Sequence, residues 1–162
     1  MILRVATRDD IPFIMGTERL PGYEFMIGQS DAETHAREMA SDGSRYLIAE
    51  EGGTPVAFAI LQHLDNRHGN IYLNRFATTR QGEGIGTRAL VLLQDWVFAR
   101  PQAYRLHLHF SADNERGRRL YARAGFQDEG VERQVYPRPD GGRVDTIRVS
   151  ILRPEWEKSR GM

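Results

Sequence analysis

The sequence predicts an α/β (α+β) domain in which helices cover a mixed β-sheet, and three observations carry that expectation. Residues 84–99 place Ile85, Ala89, Leu92, Leu93, Trp96 and Val97 at helical spacing, between extended stretches on either side. Tyr104, Leu106, Leu108 and Phe110 alternate strictly with Arg105, His107 and His109, the period of a half-buried strand. Two glycine-marked turns, Gly52-Gly53 and Pro139-Asp140-Gly141-Gly142, join apolar segments as hairpins. Hairpins interleaved with helices exclude a purely parallel sheet.

In chain order, Ile2–Ala6 reads as a short strand, and Thr7 before Arg8-Asp9-Asp10 reads as the cap of a helix carrying Ile11, Ile14 and Met15. A turn follows at Pro21-Gly22. Asp31 opens a polar helix to about Ser41, and strands are expected at 46–50, 55–64 and 70–78. After the helix at 84–99 come the strand 104–110 and a helix capped by Asp113 that ends before Gly125. Strands at about 126–136 and 143–152 complete the order βααβββαβαββ.

Composition narrows the chemistry. The chain has 162 residues, 40% of them hydrophobic, enough for one domain with a real core. With no cysteine there is no disulfide, thiol nucleophile or thiolate metal site. No signal-like start and no long apolar run is present, so the expectation is a cytoplasmic protein without a membrane partner. Zero net charge gives no general attraction to nucleic acid. Among 22 basic residues only Lys158 is lysine, a bias that composition alone leaves open.

Between a strand and a helix lies Gln81-Gly82-Glu83-Gly84-Ile85-Gly86-Thr87, which can direct several backbone N–H groups and a helix N-terminus at an anion. No glycine precedes a lysine, so it is not a Walker loop, and Thr87 stands where a dinucleotide fingerprint needs glycine. Residues 114–126 read Asn-Glu-Arg-Gly-Arg-Arg-Leu-Tyr-Ala-Arg-Ala-Gly-Phe. This segment resembles the N-x-x-A-x-x-L-Y-x-x-x-G-F signature of the GNAT superfamily of N-acetyltransferases, and Gln81-x-x-Gly84-x-Gly86 resembles its pyrophosphate loop. Leu73–Thr78 looks most like the branch of ribosomal-protein N-terminal and small-amine acetyltransferases. Gly117 departs from the alanine usual in the signature.

The resemblance implies a single N-acetyltransferase domain over residues 1–162. Its sheet would have about seven strands, mostly antiparallel, with helices on both faces and splayed parallel strands at 70–78 and 104–110. It implies acetyl-CoA as cosubstrate, no metal, and direct attack on the thioester by a primary amine of a small molecule or a protein N-terminus. The alternative is a non-catalytic acyl-CoA-binding module. The resemblance also allows a homodimer. By position, the backbone of Phe76, Ala77 and Thr78 would hold the pantetheine arm, Gln81, Gly82, Glu83, Gly84, Ile85, Gly86 and Thr87 the pyrophosphate, and Asn114 the pantetheine region. Tyr121 would be the acid for the departing thiolate. No carboxylate on 70–78 offers a base, leaving Glu18, Glu24, His107 and His109 as relay candidates; the two histidines lack an acidic third ligand for a metal. Pro21–Met26 would wall the acceptor site, and Arg116, Arg118, Arg119 and Arg123 lie near the expected CoA phosphates.

Charge along the chain is uneven. Residues 1–66 hold 5 arginines and 11 carboxylates, and residues 67–162 hold 17 basic and 11 acidic residues, which gives −6 and +6. The expectation is a positive cofactor side and a negative acceptor side suited to a cationic amine.

Overall fold

The computed structural model describes residues 1–162. Seven strands form one sheet in the order β1-β2-β3-β4-β5-β7-β6. These are β1 (Ile2–Val5), β2 (Arg45–Glu51), β3 (Thr54–Gln62), β4 (Asn70–Thr78), β5 (Arg105–Ser111), β6 (Gln127–Pro137) and β7 (Arg143–Leu152). Every neighbouring pair is antiparallel except β4 and β5. The helices are α1 (Ile11–Glu18), α2 (Ala32–Met39), α3 (Ile85–Phe98), α4 (Glu115–Arg123) and α5 (Arg153–Ser159).

Strand alternation decides which helices cover which face. Tyr46, Ile48, Phe58, Ile60 and Ala77 point to one side and pack with Ile14, Tyr23 and Phe13 under α1 and α2. Leu47, Ala49, Ala57, Ala59 and Leu61 point to the other, where Ile85, Ala89, Leu90, Leu93 and Val97 of α3 meet Leu106 and Leu108 of β5. Of the helical stripe read from the sequence, α3 buries Ile85, Ala89, Leu93 and Val97, joined by Leu90 and Phe98, while Leu92 and Trp96 are only half-buried.

Four details differ from the sequence expectation. Thr7 leads first into a 3-10 turn at Arg8–Asp10, and α1 proper begins at Ile11 with Pro12 in its first turn, a position that has no use for a backbone N–H. Tyr104 does not join the buried row: β5 begins at Arg105 and Tyr104 is 50% exposed. Asn114, not Asp113, caps α4, its Oδ1 accepting the Gly117 N–H at 2.8 Å. Asp113 instead accepts from Ser111 Oγ and pairs with Arg138. The fourth is α5, absent from the expected order. Pro154 and Glu155 start it, Glu155 accepting the Leu152 N–H at 2.8 Å, and Trp156 docks its indole N–H on Asp95 at 2.7 Å.

Candidate active site

The parallel pair β4 and β5 is in register only over Asn70–Tyr72 and Arg105–His107. Beyond Tyr72 the strands separate, so residues 73–78 keep one unpaired backbone edge. A cavity of about 910 Å³ fills this opening, large for a ligand pocket. On one side its walls are the glycine loop and α4, and on the other the 22–28 segment, Tyr72, Arg75, His109 and the β6–β7 residues Tyr136, Pro137, Val144 and Thr146.

The loop at 81–87 is built as the sequence suggests. Gly82 and Gly84 have φ of 83° and 71°, conformations that cost an L-residue about 1–2 kcal/mol. Gly84 is the N-cap residue of α3, so the unpaired N–H groups of the first turn open toward the cavity. Gln81, Gly82, Gly84, Ile85, Gly86 and Thr87 line it; Glu83 does not, and pairs with Arg80 at 3.2 Å. Arg80, Arg116, Arg119 and Arg123 line the same side, which supplies positive charge for phosphates. Arg118 is turned to Asp128 and Glu115 instead.

Along β4 the three expected backbone residues separate. The Thr79 N–H bonds the Val56 carbonyl at 2.8 Å, so in this register Ala77 also turns its N–H and C=O toward β3. Thr78 and Phe76 face the open edge. Thr78 is already engaged: its N–H donates to the Tyr23 hydroxyl at 2.8 Å, and that hydroxyl donates to the Thr78 carbonyl at 3.0 Å. Phe76 keeps the free backbone pair beside the cavity, while Ala77 does not line it.

Tyr121 projects from α4 between Phe110 and Phe126, with ring centroids at 5.3 and 5.7 Å. It lines the cavity and its hydroxyl makes no hydrogen bond within the chain. Burial, with Tyr23 and Tyr72 close by, pushes its pKa well above the usual tyrosine value, so the phenol stays protonated. Asn114 also lines the cavity, with its Oδ1 occupied as the cap. Gly117 is explained by that cap, since a Cβ there would sit 2.7 Å from the Asn114 amide nitrogen.

Of the four base candidates only His109 lines the cavity. Its Nδ1 is 3.1 Å from Glu132 Oε2, and its Nε2 lies 3.0 Å from the Tyr72 hydroxyl and 2.8 Å from that of Tyr136. With Glu132 accepting from Nδ1–H, Nε2 is left as the acceptor facing two phenols. Partial burial works against the Glu132 carboxylate, but hydrogen bonds from Arg148 and Thr146 hold its pKa below the usual range. Burial pushes the pKa of Tyr72 up to about 12 and raises that of Tyr136. His107 faces Arg148 at 3.2 Å, and burial with Arg105 and Arg148 pushes its pKa down to about 4. Glu24 is exposed and folds back onto the Gly22 N–H at 2.7 Å.

Glu18 overturns the expected negative acceptor side. It is fully buried, and its carboxylate is consumed by Arg75 at 3.1 Å, Arg19 at 2.9 Å, His35 at 3.3 Å and the Ser30 N–H at 3.0 Å. No carboxylate from residues 1–66 lines the cavity. Partners far away in sequence made this invisible to a count along the chain.

The sequence model of the Acetyltransferase (GNAT) family matches residues 15–126, which span the glycine loop, both splayed strands and the α4 signature. The chain belongs to the GNAT family. This GNAT chain is 34% identical over 115 residues to the N-alpha-acetyltransferase RimI of Mycobacterium tuberculosis, covering 69% of the chain and 70% of that protein. It is 26% identical over 109 residues to the spermidine N(1)-acetyltransferase of Escherichia coli, covering 67% of the chain and 58% of that protein. The spermidine N-acetyltransferase of Vibrio cholerae, solved with CoA and spermine, has the same fold, with a TM-score of 0.83, 19% identity and 96% of each chain covered. As a member of this family the chain is an N-acetyltransferase that uses acetyl-CoA.

Proposed function

We propose that the chain moves the acetyl group of acetyl-CoA onto a primary amine, of a small molecule or a protein N-terminus, with His109 and Tyr121 as its proton-handling residues. One observation carries the reading: a histidine oriented by a carboxylate and a tyrosine with an unbonded hydroxyl line the same cavity, at the opening of β4 and β5. A cytoplasmic setting belongs to the same proposal; no helix is long and apolar enough to cross a membrane.

The amine must first lose a proton. An α-amine with a reference pKa near 7.7–8.0 is about a tenth neutral at pH 7, at a cost of about 1.4 kcal/mol. Nε2 of His109 has one lone pair for two phenols, so the hydroxyl that donates to it can take the amine proton on its oxygen, directly or through water, as its own proton passes to Nε2 and leaves His109 protonated. The neutral nitrogen then attacks the thioester carbonyl; the C–N bond forms, the nitrogen's second proton goes to solvent, the C–S bond breaks, and the electron pair leaves with sulfur. Phe76, Gln81, Gly82, Gly84–Thr87 and Arg116, Arg119 and Arg123 would hold the cosubstrate, Phe76 through its free backbone edge. Tyr121 serves the departing thiolate. Reference values near 10 for the phenol and 8.5 for a thiol make full transfer uphill by about 2 kcal/mol, and burial of Tyr121 adds to that. Tyr121 therefore acts mainly as a hydrogen-bond donor to developing charge, and solvent completes the protonation.

Tyr121→Phe should lower turnover about 100-fold at saturating acetyl-CoA, and His109→Gln should lower kcat/KM for the amine by a similar factor. CoA release in a thiol assay reads both. Unchanged turnover in either variant removes that residue from the mechanism.

A further inference from the structure

The acceptor side of the cavity is largely apolar and offers no unpaired carboxylate. Phe25, Met26 and Ile27 form its lip with Tyr136 and Val144, and the cationic lining group there is Arg75. Phe25 is 79% exposed and held at a φ of 61°, a strained backbone for a bulky residue, so the lip holds an apolar ring outward at the mouth. The carboxylates closest in the fold are already used. Glu18 is buried under Arg75, Glu24 is tied to its own loop, and Glu132 serves Arg148, Thr146 and His109. Asp113 and Glu115, the acidic residues of the lining, sit at the start of α4 and are likewise engaged, Asp113 by Arg138 and Ser111 and Glu115 by Arg118.

We propose that the acceptor carries a single positive charge, the reacting ammonium, on an otherwise neutral and apolar body, and that polyamines are rejected. The proposal rests on the acetyl-transfer reading and deepens it. A second ammonium entering this side would leave water beside Arg75 with no counter-charge, so the like charge acts against the wrong substrate. A monocation gives up its charge on reacting, and its apolar body covers the lip. The V. cholerae enzyme of the same fold was solved with spermine; this chain shares the frame and not the charge that a polycation requires.

The test compares CoA release at saturating acetyl-CoA with 2-phenylethylamine, a neutral tetrapeptide with a free N-terminus, and spermidine. The expected result is a kcat/KM for at least one monocation that exceeds that of spermidine by tenfold or more, in order of magnitude. Met26→Glu, which adds the absent carboxylate to the lip, should narrow the ratio by about tenfold in favour of spermidine. A spermidine value equal to or above the monocations overturns the proposal, as does a Met26→Glu variant with an unchanged ratio. Turnover with none of the amines overturns the acetyl-transfer reading and this proposal with it, whereas turnover confined to spermidine overturns this proposal alone.

Discussion

The Tyr23 hydroxyl ties the acceptor segment to the cofactor strand, so Tyr23→Phe should be felt in both stability and kinetics. Tyr23 is 6% exposed and Thr78 8%, and the hydroxyl serves the Thr78 N–H and carbonyl at 2.8 and 3.0 Å. Phenylalanine fills nearly the same space, so the loss is that of two hydrogen bonds rather than of packing. At about 0.5–1.5 kcal/mol each, the expected loss is about 2 kcal/mol. For a domain of this size that corresponds to a fall in Tm of about 4–8 °C. Equilibrium urea unfolding should show a lower midpoint at unchanged slope. The segment 22–28 has a second anchor, Ser30 and Glu18 on Arg75, so it stays in place but looser. The KM for the amine should therefore rise while the KM for acetyl-CoA holds. A stability loss below about 0.5 kcal/mol, or a KM rise confined to acetyl-CoA, refutes the assignment of Tyr23 as the tie.

Two further outcomes test the loop and the interior. Gly84→Ala forces a Cβ onto a residue at φ 71° and should cost about 1–2 kcal/mol of stability. Turning the first N–H groups of α3 should also weaken CoA binding about tenfold by calorimetry; unchanged affinity would place the phosphates elsewhere. His107 is neutral in the fold down to about pH 4, whereas the unfolded chain protonates it near 6.5. The unfolded state binds more protons between these values, so stability falls as pH drops from about 6.5 to 4. His107→Gln should flatten that fall in urea midpoints measured across the window, and an identical slope in the variant rejects the assignment.

What was legible in the sequence is what local backbone chemistry decides. Gly82 and Gly84 stand where φ is positive, the alternation of Leu106, Leu108 and Phe110 is the buried face of β5, and Tyr121 follows its motif onto α4 at the cavity. The site's polar partners were not legible, because they are far apart along the chain. Tyr23 meets Thr78 across 55 positions, Arg75 meets Glu18 across 57, and His109 meets Glu132 across 23. No periodicity encodes such pairs; they follow from sheet order and from which edge of β4 is open. The helix α5 is different, since Pro154 and Glu155 form a local start signal that needs no distant partner.

The same pairing accounts for the choice of arginine over lysine. Arg4 bridges Asp10 and Glu50, Arg75 holds Glu18 with one nitrogen and Ser30 with another, and Arg148 spans Glu132 and His107. Arg153 donates to the carbonyls of Ala103, Phe98 and Arg100, closing the turn before β5. Each of these needs several donors fixed in one plane, which a single ammonium cannot supply. Lys158, by contrast, is exposed on α5. Part of the balance of −6 and +6 is met across the division, by Arg75 on Glu18 in the interior and by Arg88 on Glu51 at the surface. What survives at the cavity is the positive charge of Arg80, Arg116, Arg119 and Arg123 on the phosphate side. On the proposed reading, electrostatics selects the cosubstrate, and the apolar lip is left to select the amine.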